Sequence, residues 1–512
     1  MRGTWQKWWP VLLAALGGAL LEKAFPPTSW WPLAPVAIGL LLVALGRDSV
    51  PWALTSGGAF GLAFFLQHVW WATVSVGQPI GWIALALAQA SFISGFAGAW
   101  VWVRRIRWLR GHAGRQVIAV TVVWVAVERF RGRWPFGGFP WGSLAFSQTD
   151  GPLLRLAPVA GTTLVGAAVV LIGAAAALLL TGRRPLDRRV ALATLTAVVL
   201  GLVAARGVVL PTSAQDGSLR VGAVQGNVPS SDLADRDRAL QVIANHVAGT
   251  QSLLQSTSAG AVDLVLWPES ASDIDPRVDP QVKALVDGAA REARAPILLG
   301  TQRLEPDRRY NDYILWQPGV GSVASYTKQH PVPFGEYVPY RSFFRRFVPA
   351  VDKISRDMAP GKGTALVSVP VPRLGRSVPL TTVICFEVAY DDLIRQSVLA
   401  GTEAIIIPTN NASFGRTQEA VQQLAMSRFR AAEHNRAVVQ ISTVGVSAVI
   451  APDGAVLQRT GLFTAEQMRA HLPLRTSITI ADRLGEWPGR LVDALALALL
   501  AASVVARVRR TR

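Results

Sequence analysis

Cysteine, lysine and histidine are all scarce in this chain of 512 residues, which contains one cysteine, six lysines and six histidines. A single cysteine excludes an intrachain disulfide in any compartment. The histidines lie at no spacing that would assemble a metal site, so metal catalysis is not expected. We predict no metal and no cofactor.

Acidic residues are also few, with 33 Asp and Glu against 51 Lys and Arg and a net charge of +18. On a soluble surface this charge would favour nucleic acid as a partner. Here 51% of the residues are hydrophobic, and the basic residues form short clusters between apolar runs. That arrangement is typical of the cytoplasmic loops of membrane proteins, so the chain is predicted to bind a membrane and no nucleic acid.

Residues 1–212 are predicted to form a transmembrane domain of seven helices, because they contain seven apolar runs of roughly bilayer-spanning length. The first run could be the apolar core of a signal peptide. Glu22 and Lys23 follow it directly and no small-residue cleavage site is evident, so we predict a retained helix. The predicted spans are 10–26, 29–46, 51–74, 79–103, 116–130, 156–181 and 189–210, with an eighth at 488–506.

The arginine clusters predict the orientation. They follow the fourth, sixth and eighth spans, which all end on the cytoplasmic side if the N-terminus is cytoplasmic. Residues 213–482 would then form an extracytoplasmic domain, and 483–512 a C-terminal helix with a cytoplasmic basic tail. The clusters are Arg104, Arg105, Arg107, Arg110 and Arg115, then Arg183, Arg184, Arg188 and Arg189, and finally Arg507, Arg509, Arg510 and Arg512.

Aromatic residues support a membrane domain, since 15 of the 18 tryptophans precede residue 142. Indole rings favour the membrane interface because one edge is apolar while the N–H still needs a partner. The segment 134–142, Trp-Pro-Phe-Gly-Gly-Phe-Pro-Trp-Gly, joins spans five and six. We interpret it as a re-entrant segment, a wall of a lipid pocket or a plain interfacial anchor.

From residue 213 onward, short β-type runs alternate with helical ones, which predicts a layered sheet-and-helix domain with its own core. Predicted strands are 219–224, 263–267, 296–300, 313–317, 322–327, 379–385, 403–408, 438–443 and 446–450, and predicted helices are 231–256, 279–293, 389–399 and 416–435.

Three of these strands end at a reactive residue: Glu269, Lys328 and Cys385. Strand ends are where layered folds gather their chemistry, because the strands hold the loops rigidly. A thiol at a helix start gains thiolate character, a carboxylate can take its proton, and an ammonium group can stabilise an oxyanion. Each residue alone is more often structural, and His330 is the nearest histidine to any of the three.

The three residues together resemble the Glu-Lys-Cys triad of the nitrilase, or carbon–nitrogen hydrolase, superfamily, in the family's order. Joined to eight predicted spans, the chain is similar over nearly its full length to the apolipoprotein N-acyltransferase family within it. The matching segments are 138–141, 224–229, 267–269 and 333–339.

The resemblance implies an αββα sandwich joined to a multi-pass α-helical membrane domain. It also implies that Glu336 and Glu387 support the triad, that Phe386 stands where a tyrosine is common, and that Asn410 belongs to a pocket loop. Ser413 in that loop replaces a usual tryptophan. Neither departure involves a triad residue.

The implied reaction is ping-pong transfer of a fatty acyl chain through a thioester on Cys385. The donor is the sn-1 ester of a phospholipid, and the acceptor is the α-amino group of the diacylglyceryl-cysteine at the N-terminus of an apolipoprotein. Glu269 would be the base and Lys328 the oxyanion partner. The enzyme would be a monomer in the bacterial cytoplasmic membrane.

Two other functions remain open at this point. A membrane-tethered amidase would use the same triad with water in place of the amine. A transporter with an outside binding domain would need ionisable residues within its spans, and apart from Glu128 near a span end few are present.

Overall fold

A computed structural model describes residues 2–207, 210–229, 234–255, 259–346, 351–352 and 354–511. The side chains at 2–7, 76 and 508–511 lie outside the described set, and with them most of the predicted basic tail. The chain forms two compact units, Met1–Val209 together with Arg483–Arg512, and Leu210–Asp482.

The first unit is helical, and all eight predicted spans fall on helical segments. Leu, Ala, Val and Phe dominate these helices, and such side chains favour helices where lipid or another helix covers them. The helices are α1 (Arg2–Lys23), α2 (Leu33–Ala44), α3 (Val50–His68), α4 (Trp71–Val76), α5 (Pro79–Val103), α6 (Ala113–Arg131), α7 (Ala157–Thr181) and α8 (Pro185–Arg206), and, after the second unit, α15 (Trp487–Thr511).

Among the described residues, four helical segments are long and apolar enough to cross a membrane: Pro79–Val103, Pro152–Thr181, Pro185–Arg206 and Trp487–Arg507. The predicted span 51–74 is divided between α3 and the short α4. At 12 residues, α2 is an apolar helix below spanning length. The total of eight crossings therefore stays a prediction.

The aromatic segment 134–142 is held by a buried arginine at the end of α6. Nη1 of Arg131 donates to the carbonyl oxygens of Phe139 and Trp141 at 2.7 and 2.8 Å, and to Gln89 Oε1 at 2.9 Å. Trp141 is buried, whereas Trp134 is 56% exposed. One end of the segment is thus part of the helical core, and the other end presents an indole ring at the surface.

The second unit contains two β-sheets. One has the order β13-β1-β2-β3-β4-β5 with β6 paired to β4, and the other has the order β12-β11-β10-β9-β8-β7. The strands are β1 (Ser218–Gln225), β2 (Leu264–Leu266), β3 (Ile297–Leu304), β4 (Arg308–Gln317), β5 (Gly321–Thr327), β6 (Asp357–Met358), β7 (Leu366–Val371), β8 (Arg376–Thr382), β9 (Ala404–Thr409), β10 (Ala437–Ser442), β11 (Ala448–Ile450), β12 (Val456–Arg459) and β13 (Glu466–Pro473).

Helices cover the sheets and complete an αββα sandwich. Helix α10 (Pro280–Ala293) buries one face, which contains Val282, Val286 and Ala290. Together with α9 (Asp235–Gln255), this face packs against β2, β3 and β4. The start of α10 is set by Asp279, whose carboxylate accepts hydrogen bonds from the next free N–H groups. The helices of this unit are α9 (Asp235–Gln255), α10 (Pro280–Ala293), α11 (Arg341–Phe344), α12 (Asp391–Leu399), α13 (Glu419–His434) and α14 (Ile480–Leu484).

The directions of the paired strands explain why the loops that follow β2, β5 and β8 come together. β1, β2 and β3 run parallel in one sheet, and β8, β9 and β10 run parallel in the other. The carboxyl ends of parallel strands meet at the same edge, where the following loops come together.

Candidate active site

Glu269 stands on a tight turn after β2. The turn is held against β3, because Trp267 N–H donates to Leu298 O at 2.8 Å and Gly300 N–H donates to Pro268 O at 3.1 Å. A Cβ atom on Gly300 would lie 2.7 Å from the Cα atom of Glu269. Only glycine allows this approach, so the strand fixes the backbone of Glu269.

The Glu269 carboxylate is buried and bonded on both oxygens. Oε1 accepts from Asn311 Nδ2 at 2.6 Å, and Oε2 accepts from Asn410 N–H at 2.8 Å. Burial raises the pKa of Glu269 above its ordinary value, although the Lys328 ammonium opposes this shift. A carboxylate with a raised pKa is well matched to receive a proton from a thiol or an amine.

Lys328 follows β5 and is fully buried. Its Nζ lies 2.7 Å from Glu336 Oε1 and 3.5 Å from Glu269 Oε1. Burial alone would lower the pKa of Lys328, but Glu336 and Glu269 raise it well above its ordinary value. The group is therefore a permanent cation held between two carboxylates.

Cys385 lies in a strained turn. β8 ends at Thr382, a single 3-10 turn covers Cys385–Ala389, and α12 begins only at Asp391. The predictions that the strand reaches residue 385 and that the thiol lies at a helix start are therefore wrong, whereas the predicted helix 389–399 is confirmed as α12. The turn replaces them because Cys385 has φ +56°, a left-handed conformation that costs a non-glycine residue roughly 1–2 kcal/mol.

The resting form of Cys385 is the thiol. Burial raises its pKa well above the ordinary value, the Glu269 carboxylate raises it further, and the Lys328 ammonium opposes them. The thiol acts as a hydrogen-bond donor toward the Glu269 carboxylate. This arrangement can pass the thiol proton to Glu269, and no α-helix begins at Cys385 to favour the thiolate.

Glu387 joins the loop after Lys328 to the turn at Cys385. Its Oε1 accepts from the N–H groups of Gln329 and His330 at 2.6 and 3.0 Å, and its Oε2 accepts from Ile384 N–H at 2.7 Å. Glu387 is fully buried, and burial raises its pKa, although these hydrogen bonds oppose the shift. Its position fits a supporting carboxylate.

The other predicted supporting residues occupy different positions. Glu336 contacts Lys328 directly, and its second oxygen accepts from Val332 N–H at 2.7 Å. Asn410 contacts Glu269 through its backbone, while its side chain accepts from Ala412 N–H at 3.1 Å. The Phe386 ring is buried and packs edge-on against Tyr390.

Sequence reasoning missed several polar side chains at this site. Asn311 donates to Glu269, Tyr326 donates to Glu387, and Gln423 donates to Cys385 Sγ at 3.6 Å. In a strand or helix, an asparagine, tyrosine or glutamine is usually interpreted as an ordinary surface or core residue, so its type does not indicate an active-site role. Asn311 is the first residue of the buried stretch of β4, and the polar residues on both sides of it gave no signal of that burial.

One further group has the chemistry of metal ligands. Asp391, Glu433 and His434 place ligand-type atoms within 4.8 Å of one another. Arg395 already pairs with Asp391, and Arg430 pairs with Glu433. His434 Nδ1 lies 2.6 Å from Asp482 Oδ1. Two guanidinium groups balance most of the negative charge here, so we interpret the group as a buried ion-pair cluster.

Two family models match this chain. Residues 17–175 match the apolipoprotein N-acyltransferase N-terminal domain, and residues 220–481 match carbon-nitrogen hydrolase. Among solved structures, an amidase from Nesterenkonia sp. is 16% identical, with a TM-score of 0.39, and the match covers 55% of this chain and 100% of that one.

Two relatives that match nearly the whole chain have the same name. The apolipoprotein N-acyltransferase of Mycolicibacterium smegmatis is 34% identical, over 93% of this chain and 82% of that protein. The apolipoprotein N-acyltransferase of Azotobacter vinelandii is 32% identical, over 98% of this chain and 97% of that protein. With both family models and this coverage, the chain belongs to the apolipoprotein N-acyltransferase family, the membrane-bound acyltransferases of the carbon–nitrogen hydrolase superfamily.

Proposed function

We propose that this chain moves a fatty acyl chain from the sn-1 ester of a phospholipid to the α-amino group of a diacylglyceryl-apolipoprotein, through a thioester on Cys385. N-acylation of lipoproteins follows from family membership. The observation that carries the chemistry is that Glu269 and Lys328, which follow strands of one sheet, lie beside Cys385, which follows a strand of the other.

The first half-reaction forms the acyl-enzyme. Glu269 takes the proton of the Cys385 thiol as the sulfur attacks the ester carbonyl carbon. The oxyanion that forms is stabilised by the Lys328 ammonium, which is charged and desolvated. The C–O bond then breaks, Glu269 returns the proton to the leaving alkoxide, and a lysophospholipid departs.

The second half-reaction transfers the chain to nitrogen. The free α-amine attacks the thioester carbonyl carbon and gives a proton to Glu269. The C–S bond breaks, the amide forms, and Glu269 returns the proton to the Cys385 thiolate. One carboxylate therefore serves as base in both halves, which its raised pKa favours.

The membrane topology in this proposal is inferred from the positions of the arginine clusters. Both termini would be cytoplasmic, residues 1–212 and 483–512 would span the cytoplasmic membrane, and residues 213–482 would lie outside as the catalytic domain. We propose a monomer. Both substrates are anchored in lipid, so a catalytic domain fused to a membrane domain can work where they are.

An aromatic and basic segment near Lys328 fits an interfacial role. Tyr340 is 75% exposed and Phe343 is 54% exposed. The Phe344 ring packs edge-on against Phe334 and Phe343, which gathers the aromatic side chains. We propose that residues 340–352 dip into the membrane interface over the active site; residues 347–350 lie outside the described set. Unchanged activity of a Tyr340→Ser, Phe343→Ser double variant would contradict this role.

The central experiment is detection of the acyl-enzyme. Purified full-length protein and its Cys385→Ser variant are incubated with a phospholipid of defined acyl chains and measured by intact mass. We expect a fatty-acyl mass increase on the native protein that hydroxylamine removes. Because Cys385 is the one cysteine, its replacement removes every thiol on which a thioester could form. Gly288→Ala on α10 is a suitable control, since the added atom meets open space away from the site.

Addition of a diacylated lipopeptide then tests the acceptor. Loss of the adduct with appearance of a triacylated peptide supports the complete reaction. Hydrolysis of small amides without any lipid adduct would instead favour the tethered amidase.

A further inference from the structure

Gln423 is a buried amide that faces the reactive sulfur and has no part in the mechanism above. It lies on α13, and its Nε2 is 3.6 Å from Cys385 Sγ. It is fully buried. A donor at this distance from sulfur favours the thiolate, because a charged acceptor strengthens the hydrogen bond.

The orientation of this amide is fixed by a chain of hydrogen bonds. Gly445 N–H donates to Ser442 Oγ at 2.8 Å, so the Ser442 hydroxyl proton goes to Asn411 Oδ1 at 2.6 Å. That leaves Asn411 Nδ2 to donate to Glu419 Oε2 at 2.7 Å and to Gln423 Oε1 at 2.9 Å. The oxygen of Gln423 is therefore the atom facing Asn411, and its NH₂ group faces the sulfur.

We propose that Gln423 is a further catalytic residue, which donates a hydrogen bond to the Cys385 sulfur and stabilises the thiolate when it attacks and when it leaves. Asn411 and Glu419 are positioning residues that hold the Gln423 amide in this orientation. The proposal deepens the function proposed above and rests on it for the acyl-transfer steps.

The charges around Cys385 explain why a neutral donor matters. Glu269, Glu336 and Glu419 lie on different elements, and the negative charge of each raises the pKa of Cys385 when that carboxyl is ionised. Lys328 is the cation that opposes them, and it is shared with two of those carboxylates. A neutral amide donor stabilises the thiolate without adding another charge to a buried site.

The state of Glu419 is consistent with this arrangement. Burial raises its pKa to about 8, so it is mostly protonated at neutral pH and places little negative charge beside the sulfur. Its oxygen still accepts from Asn411 in that state. Glu419 thus orients Asn411 while adding little to the repulsion of the thiolate.

Alkylation of the single cysteine tests the proposal without any lipid. Full-length protein in detergent is treated with iodoacetamide as a function of pH, and the rate is followed by intact mass. Gln423→Leu removes the donor, and Gln423→Glu keeps the shape and the oxygen facing Asn411 but places an acceptor against the sulfur. Ser427→Ala, one turn along α13, loses hydrogen bonds to Gln440 Oε1 and to the backbone oxygen of Gln423 but keeps the Gln423 side-chain amide, and it is the matched control.

We expect the pH midpoint of alkylation to rise by about one unit in Gln423→Leu, which is about tenfold slower reaction below the midpoint, and by more in Gln423→Glu. Ser427→Ala should keep the native midpoint. Native midpoints in both Gln423 variants, with native thermal unfolding, would overturn the proposal. A Gln423-dependent midpoint without any acyl-enzyme from phospholipid would leave it standing and contradict the proposed function instead.

Discussion

The phenolic oxygen of Tyr326 lies 2.9 and 3.0 Å from the two carboxylate oxygens of Glu387, and both side chains are buried. Tyr326 belongs to β5 in one sheet, whereas Glu387 follows β8 in the other. The same carboxylate also holds the backbone on either side of the triad, at Gln329 and Ile384. One side chain therefore sets the distance between Lys328 and Cys385.

Glu387→Gln should slow the enzyme strongly although none of the three triad side chains is replaced. The amide has one acceptor atom where the carboxylate has two, so at least one backbone N–H loses its partner at about 1–3 kcal/mol. We expect acyl-enzyme formation to slow at least about a hundredfold, since small misplacements of reacting groups have effects of this size. Rapid-quench intact mass measures the rate.

Tyr326→Phe is the matched control for that variant. It removes one hydrogen bond to Glu387 and keeps the carboxylate and its backbone partners. A loss of about tenfold or less is expected. An equal loss in both variants would show that the backbone contacts of Glu387 are not what matters.

Lys328→Met should destabilise the catalytic domain as well as abolish activity. The substitution leaves the buried Glu269 and the partly buried Glu336 without their shared cation. Breaking a buried ion pair by removing one partner costs about 3–5 kcal/mol. Thermal unfolding should show a loss that becomes smaller at acidic pH, where both carboxyls are protonated. A loss that is the same at every pH would contradict this electrostatic origin.

The acid limb of acyl-enzyme formation should lie above the ordinary carboxyl range. Glu269 must be deprotonated to accept the thiol proton, and burial raises its pKa above the reference value of 4.5. The rate is therefore lost as the pH falls through that raised pKa. Single-turnover rates against pH locate the limb, and a midpoint at or below 4.5 would exclude Glu269 as a buried base.

His434 should stabilise the second unit in a pH-dependent way. Burial alone would lower its pKa, but Asp482, Glu433 and Asp391 raise it above the ordinary 6.5. The stabilisation is then complete below pH 6.5 and is lost as the pH rises through the higher folded-state value. His434→Gln should be less stable by about 1–3 kcal/mol at acidic pH, with the difference shrinking under alkaline conditions.

Gly445→Ala should disturb the active site through Asn411. A Cβ atom there would lie 2.1 Å from Asn411 Oδ1, so the asparagine must move. We expect a loss of about 1–3 kcal/mol in unfolding free energy and slower alkylation of Cys385. Gly288→Ala on α10 has open space around the added atom and should be neutral or slightly stabilising.

Much of the fold could be predicted because continuous apolar runs are unambiguous. The buried strands β9 and β10 and the helices α5 and α7 all lie within or close to their predicted bounds. β12 and β13 were missed because Gln, Arg and His occupy much of them, and half-exposed strands lack an apolar signature. β7 was missed because Pro370 and flanking prolines read as a loop.

The triad could be predicted as strand-end residues, but its surroundings could not. Asn311 and Gln423 reach Glu269 and Cys385 only after the two sheets have packed. Nothing local distinguishes a buried amide from a solvated one, so these contacts depend on tertiary structure. The same holds for Asn410, whose contribution is a backbone N–H that residue type does not encode.

Because Cys385 has a left-handed backbone conformation, the residue that would be most stable at this position is not the one that provides the thiol. Glycine adopts φ +56° without strain. The free energy of unfolding of Cys385→Gly should therefore equal or exceed that of the native chain, by up to roughly 1 kcal/mol, although the variant has no nucleophile. Directed evolution that selects only for thermal stability would therefore favour inactive variants at this residue. A selection for stable variants of this family has to score turnover in the same round.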